Sequence, residues 1–114
     1  MALREQSYLV LLALAEGEQL HGYGIITAVR RLSDDRVKLG AGTLYGALDR
    51  LATEGLVEVS GQEVVRGRNR RYYRLTEDGR RVLSAETDRL AKLTDVARQL
   101  LGRGTGPRPA AGTV

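Results

Sequence analysis

A mainly α-helical fold, with a small β-hairpin after its third helix and a long C-terminal helix, is what this sequence predicts. Three observations carry it. The stretches before Gly55 place apolar residues at helical spacing or leave no polar face at all. Two short runs after Gly55 alternate apolar and polar residues on either side of an arginine-bearing tract. From Thr76 onward, leucines recur at heptad positions.

The first helix is expected from about Arg4 to Ala15. Leu9 to Ala15 offers no polar face, and a helix that is apolar all round is buried all round. Glu16-Gly17-Glu18 stops it, with Gly17 suited to a C-terminal cap. The second helix is expected from about His21 to Leu32, where Ile25, Ala28, Val29 and Leu32 form one stripe. Arg30 and Arg31 suit the negative end of its dipole, and Ser33-Asp34-Asp35 reads as a turn. The third helix is expected from about Ala41 to Glu54, with Leu44, Ala47, Leu48 and Leu51 inward and Gly55 as terminator.

Leu56 to Ser60 alternates as a strand, with Val57 and Val59 on one face. Gln62 to Asn69 reads as a loop, and Arg70 to Thr76 alternates again, with Arg71, Tyr73 and Leu75 opposite Arg70, Tyr72, Arg74 and Thr76. Thr76 caps the last helix, with Glu77 and Asp78 in its first turn. That helix is expected to reach about Leu101. At 1.5 Å per residue its roughly 25 residues span about 37 Å, more than a domain this size covers alone. Leu83, Leu90, Leu93, Ala97 and Leu100 occupy the heptad seam, which Glu86 interrupts. The expected division is a domain over 1–76, the C-terminal helix over 77–101 and a glycine- and proline-bearing disordered tail over 102–114.

At 114 residues the chain fits one domain with a modest core, so size alone favours a dimer. It contains no cysteine, which excludes disulfides, thiolate metal sites and cysteine nucleophiles. The N-terminus lacks the pattern of a signal peptide, and the run Tyr8 to Ala15 is too short to cross a bilayer, so a cytoplasmic location is expected. The net charge is +4, with a pI near 9.8. Between Arg66 and Arg81 seven arginines face only Glu77 and Asp78, so the positive charge is concentrated there.

Three helices followed by a basic hairpin make a winged helix-turn-helix, whose third helix lies in the DNA major groove while the hairpin, or wing, reaches the flanking backbone. Gly42 and Gly46 would let the helix backbone approach the groove closely, and Thr43, Tyr45 and Arg50 offer donors. The plain structural reading of Tyr45 is a half-buried core residue; the favoured reading is a DNA contact, because its hydroxyl can leave the core edge and reach a phosphate. Arg66, Arg68, Arg70 and Arg71 match phosphate geometry, although a basic loop can also be merely solvated. Tyr73 reads as core, and Tyr72 as outward, either touching DNA or an ordinary surface aromatic. His21, the only histidine, reads as a helix-end or packing residue. No metal site, cofactor loop or acid–base constellation is apparent, and no enzyme activity is expected.

Four strings, in order and at the expected spacing, resemble the PadR-like transcriptional regulators: His21-Gly22-Tyr23-Gly24-Ile25, Gly42 to Leu48, Leu51 to Leu56, and Arg70 to Thr76 with Gly79. The resemblance covers roughly Tyr8 to Leu101. Gly24 stands where the family often has an acidic residue, and Gly46 where it often has proline; the second loosens the start of the recognition helix and bears on sequence preference. The resemblance implies a homodimer, usually a repressor, acting on an inverted repeat in double-stranded DNA. It implies packing of the C-terminal helix on the partner's first helix, which makes Leu9, Leu12, Leu83, Leu90, Leu93, Ala97 and Leu100 the expected interface. With a single C-terminal helix the chain is similar to the short subfamily. Some relatives bind aromatic or drug-like effectors between protomers. This chain has neither Trp nor Phe, and Tyr8 is the candidate effector contact in the first helix. A winged helix can also serve as a protein-interaction module, which is the competing expectation.

Overall fold

The computed structural model describes residues 3–102, so the expected tail lies outside the described residues except for Gly102. The order of elements is α1 (Glu5–Glu16), β1 (Leu20–His21), α2 (Gly22–Leu32), α3 (Ala41–Thr53), β2 (Val57–Val65), β3 (Arg68–Leu75) and α4 (Glu77–Leu100). Two compact units divide after Ser84.

In the first unit α1 is the central helix. Leu9, Val10, Leu11, Ala13 and Leu14 are buried, and Tyr8, Leu12 and Ala15 are partly buried against the same core. Burying a leucine fully, as at Leu11 and Leu14, contributes about 1.5–3 kcal/mol. Gly17 does occupy the C-cap, but in extended conformation (φ −112°), so its cap needs no left-handed backbone.

On α2 the stripe Ile25, Ala28 and Val29 is buried, while Leu32, expected to continue it, is 39% exposed. The stripe ends before the helix does, because the chain there turns away through two aspartates at positive φ. Asp34 N–H donates to Arg31 O (3.1 Å) and Asp35 N–H to Arg30 O (2.8 Å), a Schellman ending without glycine. The end of α3 has the same geometry with the expected glycine: Gly55 has φ +79°, its N–H meets Ala52 O, and Leu56 N–H reaches Leu51 O at 2.9 Å. This reversal buries Leu56 and leads directly into β2.

The sheet is antiparallel in the order β1-β3-β2. It corrects the sequence reading in three ways. First, Gln62 to Asn69 is not a loop. The strands pair through Val65↔Arg68, and only Arg66 and Gly67 turn the chain, at φ +54° and +78°. Positive φ at both central residues is the pattern of a type I′ turn, whose twist matches that of the strands. Second, Ser60 falls out of register, with Val59 opposite Tyr73 and Gly61 opposite Tyr72. This β-bulge bends the hairpin, and Ser60 Oγ bonds Gln19 Oε1 at 2.5 Å. Third, β1 was not anticipated; it pairs Leu20 with Tyr73 and His21 with Tyr72. Val57 is buried as expected, but Val59 is half exposed because the hairpin is leaving the core at that point.

Thr76 caps α4. Gly79 N–H donates to its Oγ1 (2.9 Å), while the same hydroxyl donates to Gly55 O (2.6 Å). Leu83 is buried in the first unit's core and Val82 packs against it. In the second unit, Arg89 grips Glu86 with bonds of 3.0 and 2.6 Å. Beyond Leu90 every described residue is exposed, including Leu93, Val96, Leu100 and Leu101.

Candidate nucleic-acid interface

α2 and α3, joined by the turn through Asp34 and Asp35, form the helix-turn-helix, and β2-β3 forms the wing. The inward stripe of α3 leaves Gly42, Thr43, Tyr45, Asp49 and Arg50 exposed. Space around a would-be Cβ at Gly42 is open, and at Gly46 it holds only Arg50 Nη1, 3.8 Å away. Part of the outer face of α3 is therefore bare backbone, flanked by the hydroxyls of Thr43 and Tyr45 and by the Arg50 guanidinium.

Tyr45 is 45% exposed, at the edge of the core. Its ring lies over Gly22, and both line an open groove of about 430 Å³. Arg66, Arg68, Arg70 and Arg71 line the same groove. Five of the predicted residues are thus gathered in one place. Gly42, Thr43, Gly46 and Arg50 lie on the exposed face of α3 and not in the groove wall.

Among the described residues, Arg30, Arg31, Arg74, Arg81 and Arg89 are engaged in ion pairs, whereas Arg66, Arg68, Arg70 and Arg71 have no carboxylate within salt-bridge distance. Cross-strand bonds stiffen the hairpin that carries them: Arg74 to Glu58 (2.7 Å), Tyr72 Oη to Glu63 (2.6 Å) and Asn69 to Gln62 (3.0 Å). Exposed pairs of this kind contribute only about 0–1 kcal/mol each, so their effect is mainly to set geometry. Tyr72 is accordingly not a free surface aromatic.

His21, Gly22, Tyr23, Val65 and Asn69 also line the groove and were missed as site residues. A two-residue reading of the Arg66-Gly67 turn would have revealed Val65 and Asn69 through the strand register. The His21 ring lies 5.5 Å from that of Tyr72 and 6.5 Å from that of Tyr23, centre to centre. Burial and then the nearby Arg70 guanidinium lower its pKa below the usual histidine value, and Glu63 opposes them. No group of His, Cys, Asp or Glu suited to a metal occurs among the described residues. Nor is any described helix long and apolar enough to cross a membrane.

Of the residues expected at a dimer interface, Leu9 and Leu83 are already buried in the protomer's own core. Leu12 and Leu90 are partly exposed, and Leu93, Ala97 and Leu100 are exposed. Tyr8 is half-buried against the core.

Comparison with known proteins agrees with this architecture. Transcriptional regulator Rv3488 of Mycobacterium tuberculosis is 42% identical over 88 residues, covering 77% of this chain and 76% of that protein. A 37.1 kDa protein of transposon TN4556 from Streptomyces fradiae is 42% identical over 94 residues; the match covers 82% of this chain but only 25% of that longer protein. The crystal structure of a PadR family transcriptional regulator from Eggerthella lenta superposes with a TM-score of 0.67 at 31% identity, covering 84% of this chain and 83% of that one. Bacillus subtilis PadR, solved in complex with operator DNA, shares the fold with a TM-score of 0.62 at 23% identity, over 72% of this chain and 46% of that one. Residues 10–85 match the sequence profile of the transcriptional regulator PadR-like family, and the chain belongs to that family.

Proposed function

We propose that this regulator is a sequence-specific repressor that binds an inverted repeat in double-stranded DNA as a homodimer. The observation that carries the reading is the row of four arginines, none held by a carboxylate, lining one groove with Tyr45 of the helix-turn-helix. α3 enters the major groove with Gly42 and Gly46 against its wall, and Thr43, Tyr45 and Arg50 reach base edges or phosphates. Arg66, Arg68, Arg70 and Arg71 hold the flanking backbone. The operator complex of Bacillus subtilis PadR supports a DNA partner for this fold.

The dimer forms along the apolar stripe of α4, Leu90, Leu93, Val96, Ala97 and Leu100, with Leu12 and Tyr8 of the partner's α1 opposite. Two recognition helices then meet half-sites about one DNA turn (~34 Å) apart. An effector lodged at this interface beside Tyr8 would change the tilt of the two protomers and release the operator by population shift.

A salt-dependent titration against the DNA upstream of the protein's own coding sequence, with random DNA as control, tests this. The expected preference for the upstream fragment is about 10³ or more. Changing all four wing arginines to alanine should weaken binding and lower the salt slope by about 0.9 for each phosphate that is no longer neutralised. Equal, weak binding to both DNAs, with regulatory function intact in the alanine variant, would turn the wing into a surface for a protein partner.

A further inference from the structure

We infer that His21 is a further DNA-contacting residue of this groove, one that takes up a proton as a phosphate docks beside it. The inference rests on the DNA-binding reading and gives that site a pH dependence.

Its basis is geometric. His21 closes β1 and immediately precedes α2, so its backbone is held both by pairing with Tyr72 and by the helix start. Its ring is tilted against the rings of Tyr23 and Tyr72 and lines the groove occupied by Arg66, Arg68, Arg70 and Arg71. Among the described residues no side chain hydrogen-bonds either ring nitrogen, and the His21 side chain does not cap α2. A Cβ at position 24 would lie 3.2 Å from Nδ1 and 3.3 Å from Cε1, so Gly24 leaves that edge of the imidazole clear.

The charged and titratable groups around His21 are Tyr23 on α2, Tyr45 on α3, Glu63 on β2, Arg66 in the turn, and Arg68, Arg70, Arg71 and Tyr72 on β3. Glu63, the one carboxylate among them, accepts a bond from Tyr72 Oη at 2.6 Å. In the free protein, burial and Arg70 both favour neutral imidazole. A DNA phosphate entering the groove reverses the balance. It neutralises the guanidinium field and places a negative charge next to the ring, which favours imidazolium. Binding then draws in up to one proton between the free and bound pKa values. Affinity rises as pH falls through that window, by at most about tenfold per pH unit.

The chain has a single histidine, so one imidazole Cε1–H signal in the NMR spectrum reports this group alone. The experiment titrates that signal in the free protein and in its complex with the upstream duplex. In parallel, Kd is measured across the same pH range for wild type and His21→Gln. The midpoint should rise on DNA binding. Wild-type Kd should fall about three- to tenfold between about pH 7.5 and pH 6, with the glutamine variant nearly flat. Equal midpoints with and without DNA, or a wild-type pH slope in His21→Gln, overturn the inference while leaving DNA binding intact. A wild-type protein that shows no preference for the upstream duplex at any pH overturns the DNA reading itself, and this inference with it.

Discussion

The Tyr45 ring occupies the space above Gly22 into which any side chain at that position would project. The first residue of α2 and a residue in the second turn of α3 are thereby geared together, at the mouth of the groove that carries the wing arginines. Gly22→Ala would push aside the phenol end of Tyr45, which is free to swing outward. The expected result is a stability change within about 1 kcal/mol and a DNA affinity loss of about fivefold. Thermal unfolding and a DNA titration on the same preparation separate the two effects.

Gly79 presents the opposite case. A Cβ there would collide with the Leu56 carbonyl, which is backbone and already accepts a bond from Thr76 N–H at 3.1 Å. Nothing at that junction can swing away, so Gly79→Ala should cost more than about 2 kcal/mol. Urea unfolding should show a lowered midpoint with an unchanged slope.

Arg66 holds φ +54° at the wing tip, a conformation that asparagine tolerates better than arginine. Arg66→Asn should therefore leave the hairpin as stable or raise its stability by roughly 0.5 kcal/mol, while lowering the salt slope of DNA binding by about 0.9. Stability and binding moving in opposite directions would distinguish a phosphate contact from a residue that only shapes the turn. A variant with wild-type salt dependence would remove Arg66 from the DNA interface.

Leu93 is 53% exposed on α4 and belongs to the stripe proposed to meet a partner. Leu93→Glu should yield a folded monomer by sedimentation, with operator affinity lower by ~10²-fold or more, because two half-sites would no longer be engaged by one linked molecule. Wild-type sedimentation in this variant would move the interface elsewhere.

The His21 pKa is lowered in the folded chain by burial and by Arg70, so the unfolded chain binds more protons as pH drops. Stability from this group is therefore undiminished above the unfolded value of about 6.5. It falls as pH decreases from there toward the folded pKa. Denaturant melts from pH 8 to pH 5 should show this decline in wild type and a smaller one in His21→Gln. Equal declines would assign the effect to the carboxylates.

The helices were legible in the sequence because α2 and α3 bury a stripe at helical spacing, α1 has no polar face and α4 carries a heptad pattern, and because Gly55 and Thr76 have local roles that do not depend on distant partners. The wing was only partly legible. Its outer rungs pair Glu63 with Arg70, Val64 with Asn69 and Val65 with Arg68, so little of the alternation that marks a half-buried strand survives there. Its turn uses Arg-Gly in place of the asparagine or aspartate that usually signals such a hairpin. A strand as short as β1 has no periodicity to read. His21 was placed among packing residues because Tyr72 and Arg70, which define its surroundings, lie half the chain away.

The two-residue turn also restricts how this arm can evolve. Adding one residue to each strand turns the tip over, so that side chains now facing the groove would face away from it. Adding two to each strand restores the original facing and reaches further along the duplex. Relatives whose wings differ in length while keeping this turn should therefore differ by multiples of four residues, unless a second bulge compensates. An odd insertion elsewhere in the hairpin would have to be absorbed as a bulge, as the unpaired Ser60 is here.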